Sequence, residues 1–210
     1  MYFKDFKEAS DFGKMAEILY EESYCNVFKK KGYIYHYDVR LLRPFQLVDI
    51  DFIESKIELD LSDEIKQLDL VCNTGIHTDE KLKNNDYCFV EVKADSRTHE
   101  TGNAVLEITA KDKSGWFGNT RADFIAYIPY DEENELFLDY CWMINSYKLR
   151  QYLGLNDKNI NKVKGLRLNY WTLKGVKDSN CLNILCGVDR MVECGAATVI
   201  DYYKNKEKGE

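Results

Sequence analysis

The stretch from Tyr87 to Lys93 constrains the fold more than any other part of the chain. In a β-strand, side chains two apart point to the same face. Tyr87, Phe89, Glu91 and Lys93 then share one face, and Cys88, Val90 and Val92 share the other. Apolar residues run through both faces, so the spacing predicts a central strand that is largely buried on both sides. That strand ends in two adjacent charges, Glu91 and Lys93. An unpaired buried charge is costly, so partners for them are expected. A cation together with a third carboxylate would supply those partners. A carboxylate able to hold a hard cation, beside an ammonium able to meet a phosphate or an attacking water, is the minimum equipment for metal-assisted phosphodiester hydrolysis. By itself Glu-x-Lys is equally what a solvated strand face carries, as a surface ion pair worth little.

The third carboxylate is sought first in Phe45 to Ile53, which reads as a strand. Asp49 and Asp51 fall on one face of it, and Val48, Ile50 and Phe52 on the other. Asp is depleted in strands, so two on an apolar run call for a reason, whether a site or a strand end bordering solvent. Asp69, in Gln67-Leu68-Asp69-Leu70-Val71, competes with Asp51 and lies nearer to Glu91 in sequence. A fourth acid is offered by an N-terminal helix. Phe12, Met15, Ala16, Leu19, Ser23 and Val27 follow helical spacing, Ser10 or Asp11 is a candidate cap, and Gly32 marks the end. Gly13, Glu17, Tyr20 and Tyr24 form a stripe along the edge of that apolar face, which turns Glu17 toward the sheet; Glu21 lies further round. The ordinary alternative for Glu17 is a boundary glutamate on an amphipathic helix.

The order of these residues resembles a nuclease of the PD-(D/E)XK superfamily. It runs Gly13-x-x-x-Glu17, Gln46-x-x-Asp49-Ile50-Asp51-Phe52, Glu91-Val92-Lys93-Ala94-Asp95, Thr101-Gly102-Asn103, Glu107, Gly115-Trp116-Phe117 and Ala122-Asp123-Phe124. It is similar, more narrowly, to small nuclease-like proteins of phages and prophages. The resemblance spans about residues 10 to 130 and is most specific from Glu91 to Glu107. It implies an α/β fold with a restriction-endonuclease-like core, a central mixed β-sheet flanked by helices. It further implies a metal-dependent nuclease acting on DNA. Asp51, Glu91 and the Val92 carbonyl would bind Mg²⁺ or Mn²⁺, Lys93 would be the catalytic lysine, and Glu17 would support the site. A catalytically inactive member of the same fold, binding nucleic acid or serving a structural role in a phage, is the alternative. Two departures stand out: Ile50 precedes Asp51 where the family has proline, and the link from Glu54 to Asp86 is long. An inserted hairpin carrying the Asp69 run would account for that length and leave Asp69 a bystander; without it, Asp69 replaces Asp51.

Composition bounds the rest. The 210 residues suit one domain, with a core over about 10–153 and a C-terminal extension, 154–210, packed on it. No run is long and apolar enough to span a bilayer, and the first residues lack the apolar stretch of a signal peptide. Seven cysteines without a repeated spacing suggest reduced thiols in a cytoplasm. A net charge of −7 argues against a protein that coats nucleic acid in bulk. A local basic rim remains available from Arg97, Lys111, Lys113 and Arg121, with further clusters at Lys29-Lys30-Lys31 and at Lys162, Lys164 and Arg167. Trp116 and Phe117 are candidates to stack on a base, although a core or lid role suits them better.

Further strands are expected at Tyr33 to Val39, Ala104 to Thr109, Phe124 to Ile128 (ended by Pro129) and Glu135 to Trp142. Asp112 to Gly115 reads as a turn, and Ser146 to Tyr152 as a helix. Gly165 to Leu173 and Cys181 to Cys186 also have strand character. The last third can extend the sheet, cover the site or make a dimer contact, so a homodimer is an open expectation. No phosphate-loop or dinucleotide fingerprint is present, and no Cys-x-x-Cys.

Overall fold

A computed structural model describes residues 6–72, 78–110, 113–155, 172–176 and 181–202. The strands are β1 (Tyr35–Asp38), β2 (Phe52–Ser55), β3 (Tyr87–Asp95), β4 (Asn103–Ala110), β5 (Lys113–Ser114), β6 (Phe124–Asp131), β7 (Leu136–Phe137), β8 (Tyr140–Asn145), β9 (Thr172–Val176), β10 (Cys181–Gly187) and β11 (Ala197–Asp201). Helix α1 (Phe6–Leu19) runs through a π-helical turn (Tyr20–Tyr24) into α2 (Asn26–Lys29). The others are α3 (Arg43–Gln46), α4 (Glu64–Cys72), α5 (Asp79–Asn84), α6 (Thr98–Thr101), α7 (Trp116–Asn119), α8 (Ser146–Tyr152) and α9 (Val188–Glu193).

The protein is of the α/β class, with a mixed seven-stranded sheet and helices. The order in that sheet is β1-β2-β3-β6-β8-β11, with β7 hydrogen-bonded to β6. Only β3 and β6 pair in parallel; the other pairings are antiparallel. A second sheet, β5-β4-β10-β9, is antiparallel throughout. Among the described residues no helix is long and apolar enough to cross a membrane.

β3 is central, as its two apolar faces require. Cys88, Val90 and Val92 pack on one side against Ala16, Tyr20 and Tyr24 of the N-terminal helical segment. Phe89 packs on the other side with Val39, Phe45, Ile50 and Ile53. A third cluster joins Leu106 and Ile108 of β4 to Tyr127, Trp142 and Ile144 of the main sheet. The two sheets therefore share a core, and β4 belongs to the smaller one.

Several expectations change. The N-terminal helix already includes Phe6, so Ser10 and Asp11 lie within it and do not cap its start. Met15 is 56% exposed, whereas Tyr20 and Tyr24 are fully buried. The stripe through Gly13 and Glu17 is thus closer to the centre of the buried face than to its edge. Gly32, with φ +89°, ends the segment as expected. The expected strand at 45–51 is a short helix and a turn. Arg43–Gln46 forms α3, with Pro44 in its first turn, and Asp49 takes a left-handed φ of +48°. The Asp69 run is helix α4, not a strand or hairpin, and Asp69 is exposed on it. Pro129 does not stop β6, which continues to Asp131. Glu135 to Trp142 divides into β7 and the start of β8. Lys113 and Ser114 form β5 rather than a turn. The helix at Ser146 forms as expected, with the Asn145 side chain accepting the Lys148 N–H at 2.9 Å. Most of the expected strand at 165–173, and the basic cluster at 162–167, lie outside the described residues.

Candidate active site

β2 and β3 position the acids. Their ladder ends at Phe52 opposite Val90, and Asp51 extends it by one bond, its N–H donating to the Val90 carbonyl at 2.9 Å. The Asp51 side chain then turns onto β3, where Oδ2 accepts the Val92 N–H at 2.7 Å. In a strand, the N–H and C=O of one residue point to the same side. The Val92 carbonyl thus faces the edge that β2 has left, beside Asp51. The turn before Asp51 is pinned from α7. Asn119 Nδ2 donates to Asp49 Oδ2 at 2.7 Å, and the Thr120 hydroxyl donates to the Asp49 carbonyl at 2.9 Å.

Glu91 and Lys93, adjacent on one face of β3, form an ion pair through Glu91 Oε1. The Glu91 side chain is 2% exposed and that of Lys93 is 28% exposed. Glu91 Oε2 is buried without a hydrogen-bond partner among the described residues. The structural acid Glu54 of β2 is treated differently, since its Oε1 meets the Tyr20 hydroxyl at 2.6 Å and His36 Nδ1 at 2.9 Å. Lys93 Nζ also lies 5.4 Å from the centroid of the Trp116 ring.

The charges act on one another. Burial raises the Asp51 carboxyl to about 6, while Lys93 and the Val92 N–H pull it down and Glu17 pushes it up. Burial pushes Glu91 well above the usual carboxylate range, Lys93 offsets part of this, and Asp51 adds to it. Burial also opposes the Lys93 ammonium, but Glu91 and Asp51 outweigh it and hold that group above the ordinary lysine range. Asp51, Glu91 and Lys93 thus form one electrostatic unit.

A cleft of about 460 Å³ opens over this end of β3, lined by Glu17, Asp51, Val92, Lys93, Asp95 and Arg97 among others. Glu17 reaches it from α1. Its Oε2 accepts from Arg40 Nη1 at 2.8 Å, and Arg40 also grips Asp38 with two nitrogens, at 2.8 and 2.6 Å, and Glu21 at 3.1 Å. Nothing in the sequence spacing singles out Arg40; it is brought to Glu17 across 23 residues by the fold. Asp95 is structural, accepting the Tyr127 hydroxyl and the N–H groups of Arg97 and Thr98. Glu107 makes no ion pair among the described residues, and its backbone lies against Gly115. Phe117 is core, and Trp116 covers Lys93. Of the basic rim, Arg97, Lys113 and Arg121 are exposed, and Arg97 lines the cleft. Lys111 lies outside the described residues.

Asp51, Glu91 and the Val92 carbonyl offer oxygen only, the donor type that a hard divalent cation takes, and Glu91 Oε2 is a buried acceptor without a hydrogen-bond partner among the described residues. Among the described residues, no three His, Cys, Asp or Glu side chains are grouped to hold a metal. Mg²⁺ does not require such a cage, because it keeps several waters and binds through one or two carboxylates. No protein-family model, curated protein or solved structure matches the chain.

Proposed function

We propose that the chain is a metal-dependent nuclease with a restriction-endonuclease-like core that hydrolyses phosphodiester bonds in DNA. The observation that supports this most is the joining of Asp51 to the Val92 N–H beside the Glu91–Lys93 pair, with Asp51, Val92 and Lys93 lining one cleft and Glu91 not among its lining residues. Asp51, Glu91 and the Val92 carbonyl are the groups that would hold Mg²⁺ or Mn²⁺. When bound, such an ion polarises a phosphate and lowers the pKa of a coordinated water. Lys93, which lines the cleft, would orient the attacking water and steady negative charge developing on phosphate oxygens. Glu17, held by Arg40, supports the acidic end of the cleft. Arg97 offers an exposed charge to the nucleic-acid backbone.

A second reading is a nuclease-fold protein that binds nucleic acid without cutting it. One observation favours it: Glu91 is sealed at 2% exposure by Lys93, in the manner of a structural ion pair.

The two are separated by a cleavage assay on plasmid, linear duplex, single-stranded and branched DNA with Mg²⁺, Mn²⁺ or EDTA. Wild type, Asp51→Asn and Glu91→Gln proteins are compared. Metal-dependent cutting that falls about a hundredfold or more in both variants is the expected result, on the scale of losing one preorganised electrostatic group. DNA binding without cutting by the wild type, or cutting indifferent to both substitutions, would overturn the nuclease proposal.

A further inference from the structure

A second groove, of about 550 Å³, shares no lining residue with the cleft. Phe124, the first residue of β6, lines it, whereas the cleft residues Ala94 and Asp95 pair with Ile128 and Pro129. Four to five residues of β6 separate the two levels, roughly 13–17 Å at ~3.3 Å per residue.

The groove is cationic in an acidic protein. Lys31, Lys56, Lys83 and Lys148 line it, and among the described residues no Asp or Glu does, although the chain carries −7. Among the described residues Lys31, Lys56 and Lys83 make no ion pair. Two of these ammonium groups are held in place without being neutralised. Lys31 Nζ lies 5.8 Å and 5.9 Å from the ring centroids of Phe28 and Phe124. Lys56 Nζ lies 5.1 Å from the Tyr33 centroid and donates to the Asn85 carbonyl at 2.8 Å. The rest of the lining is largely apolar and includes Tyr33, Phe124 and Met143.

Gathered like charges repel one another, and they attract a multiply charged anion. The volume falls within the range of small-molecule sites, and the aromatic and apolar surface suits a planar body. A fatty anion carries a single charge and would engage one lysine at a time. We propose that this groove binds a nucleoside polyphosphate, with its phosphates among the four lysines and its base against Tyr33, Phe124 and Met143. This inference does not rest on the nuclease proposal.

The test is isothermal titration calorimetry of the full chain with ATP, tripolyphosphate and adenosine. EDTA is present so that no divalent ion bridges phosphate to the cleft. The expected result is one ATP per chain, weaker tripolyphosphate and no measurable adenosine. The double variant Lys31→Gln/Lys83→Gln changes two exposed side chains, and an unchanged thermal melt confirms its fold. It should bind ATP about tenfold or more weakly, through loss of charge-assisted contacts. Arg97→Gln, on the cleft, should bind ATP as the wild type does. Absence of ATP binding at millimolar concentration, equal binding by the double variant, or loss in Arg97→Gln would each overturn the assignment. Tripolyphosphate binding as tight as ATP would overturn the placement of the base.

Discussion

Replacing Lys93 by Met in metal-free protein tests the electrostatic reading of the site most directly. The Glu91 carboxylate is 2% exposed, relies on Lys93 at Oε1 and has no partner at Oε2 among the described residues. The Lys93 side chain is 28% exposed, so its ammonium can turn to water if its partner is lost. Breaking the pair is therefore asymmetric. Lys93→Met leaves a buried carboxylate without a counter-charge, which costs about 3–5 kcal/mol at pH 8. Glu91→Gln keeps the shape and releases a lysine that reaches solvent, at a cost of about 1 kcal/mol. Glu91→Gln/Lys93→Met removes both charges and recovers most of the loss. At about 2–4 °C per kcal/mol for a chain of this size, Lys93→Met lowers the melting midpoint by about 6–20 °C. The pH dependence has a definite sign. Burial already raises Glu91, and loss of Lys93, which lowers it, raises it further. The folded variant then binds a proton that the unfolded chain releases above pH ~4.3, so its stability falls as pH rises from there. The penalty should shrink markedly at pH 5. Urea denaturation in EDTA at pH 5 and pH 8 measures all four proteins. A penalty below about 1 kcal/mol at pH 8, an equal penalty for Glu91→Gln, or the same loss at both pH values would refute the reasoning.

The same geometry sets two further outcomes. The Asp51 carboxyl, raised to about 6, binds a proton in the folded state that the unfolded chain loses near pH 3.9, so this group's contribution to stability falls by about 3 kcal/mol at most between pH 4 and pH 6. Urea titrations in EDTA should show a shallower decline for Asp51→Asn across that window, and parallel curves would count against a buried Asp51. In Gly115→Ala, the new Cβ would stand 2.5 Å from Glu107 Cγ and 2.6 Å from the Glu107 carbonyl oxygen. Backbone must shift, so a loss of about 1–3 kcal/mol is expected by chemical denaturation; an unaltered midpoint would show that the α7 turn moves freely.

β3 was legible because its information is local. Apolar residues on both faces of a short run rich in aromatic and β-branched residues favour a buried strand, and the buried pattern of Cys88 to Val92 matches it. The segment before β2 was not legible in the same way. Short apolar runs read alike as buried strand or buried turn. Here Pro44 lies in the first turn of α3, and Phe45 and Ile50 both reach the core across a turn with Asp49 in the left-handed region. Asp51 nevertheless arrives beside β3, because the ladder resumes at that residue. For Asp69 the helical period decides: Gln67 and Val71, four apart, are the buried residues of α4, and Asp69 falls on the exposed side. Gly13, Glu17, Tyr20 and Tyr24 do share a stripe, but a π-helical turn at Tyr20–Tyr24 rotates the residues beyond it.

The sequence by itself determined the central strand, the adjacency of Glu91 and Lys93 and the helix that carries Glu17. Each depends on spacing within one element, which backbone geometry converts directly into a shared face. Only the tertiary structure decided that Asp51, not Asp69, meets β3, that Arg40 holds Glu17, and that four lysines from separate segments line one groove. Those relations join residues far apart in the chain. They are set by sheet order and by which apolar faces pack together, and no local period encodes either.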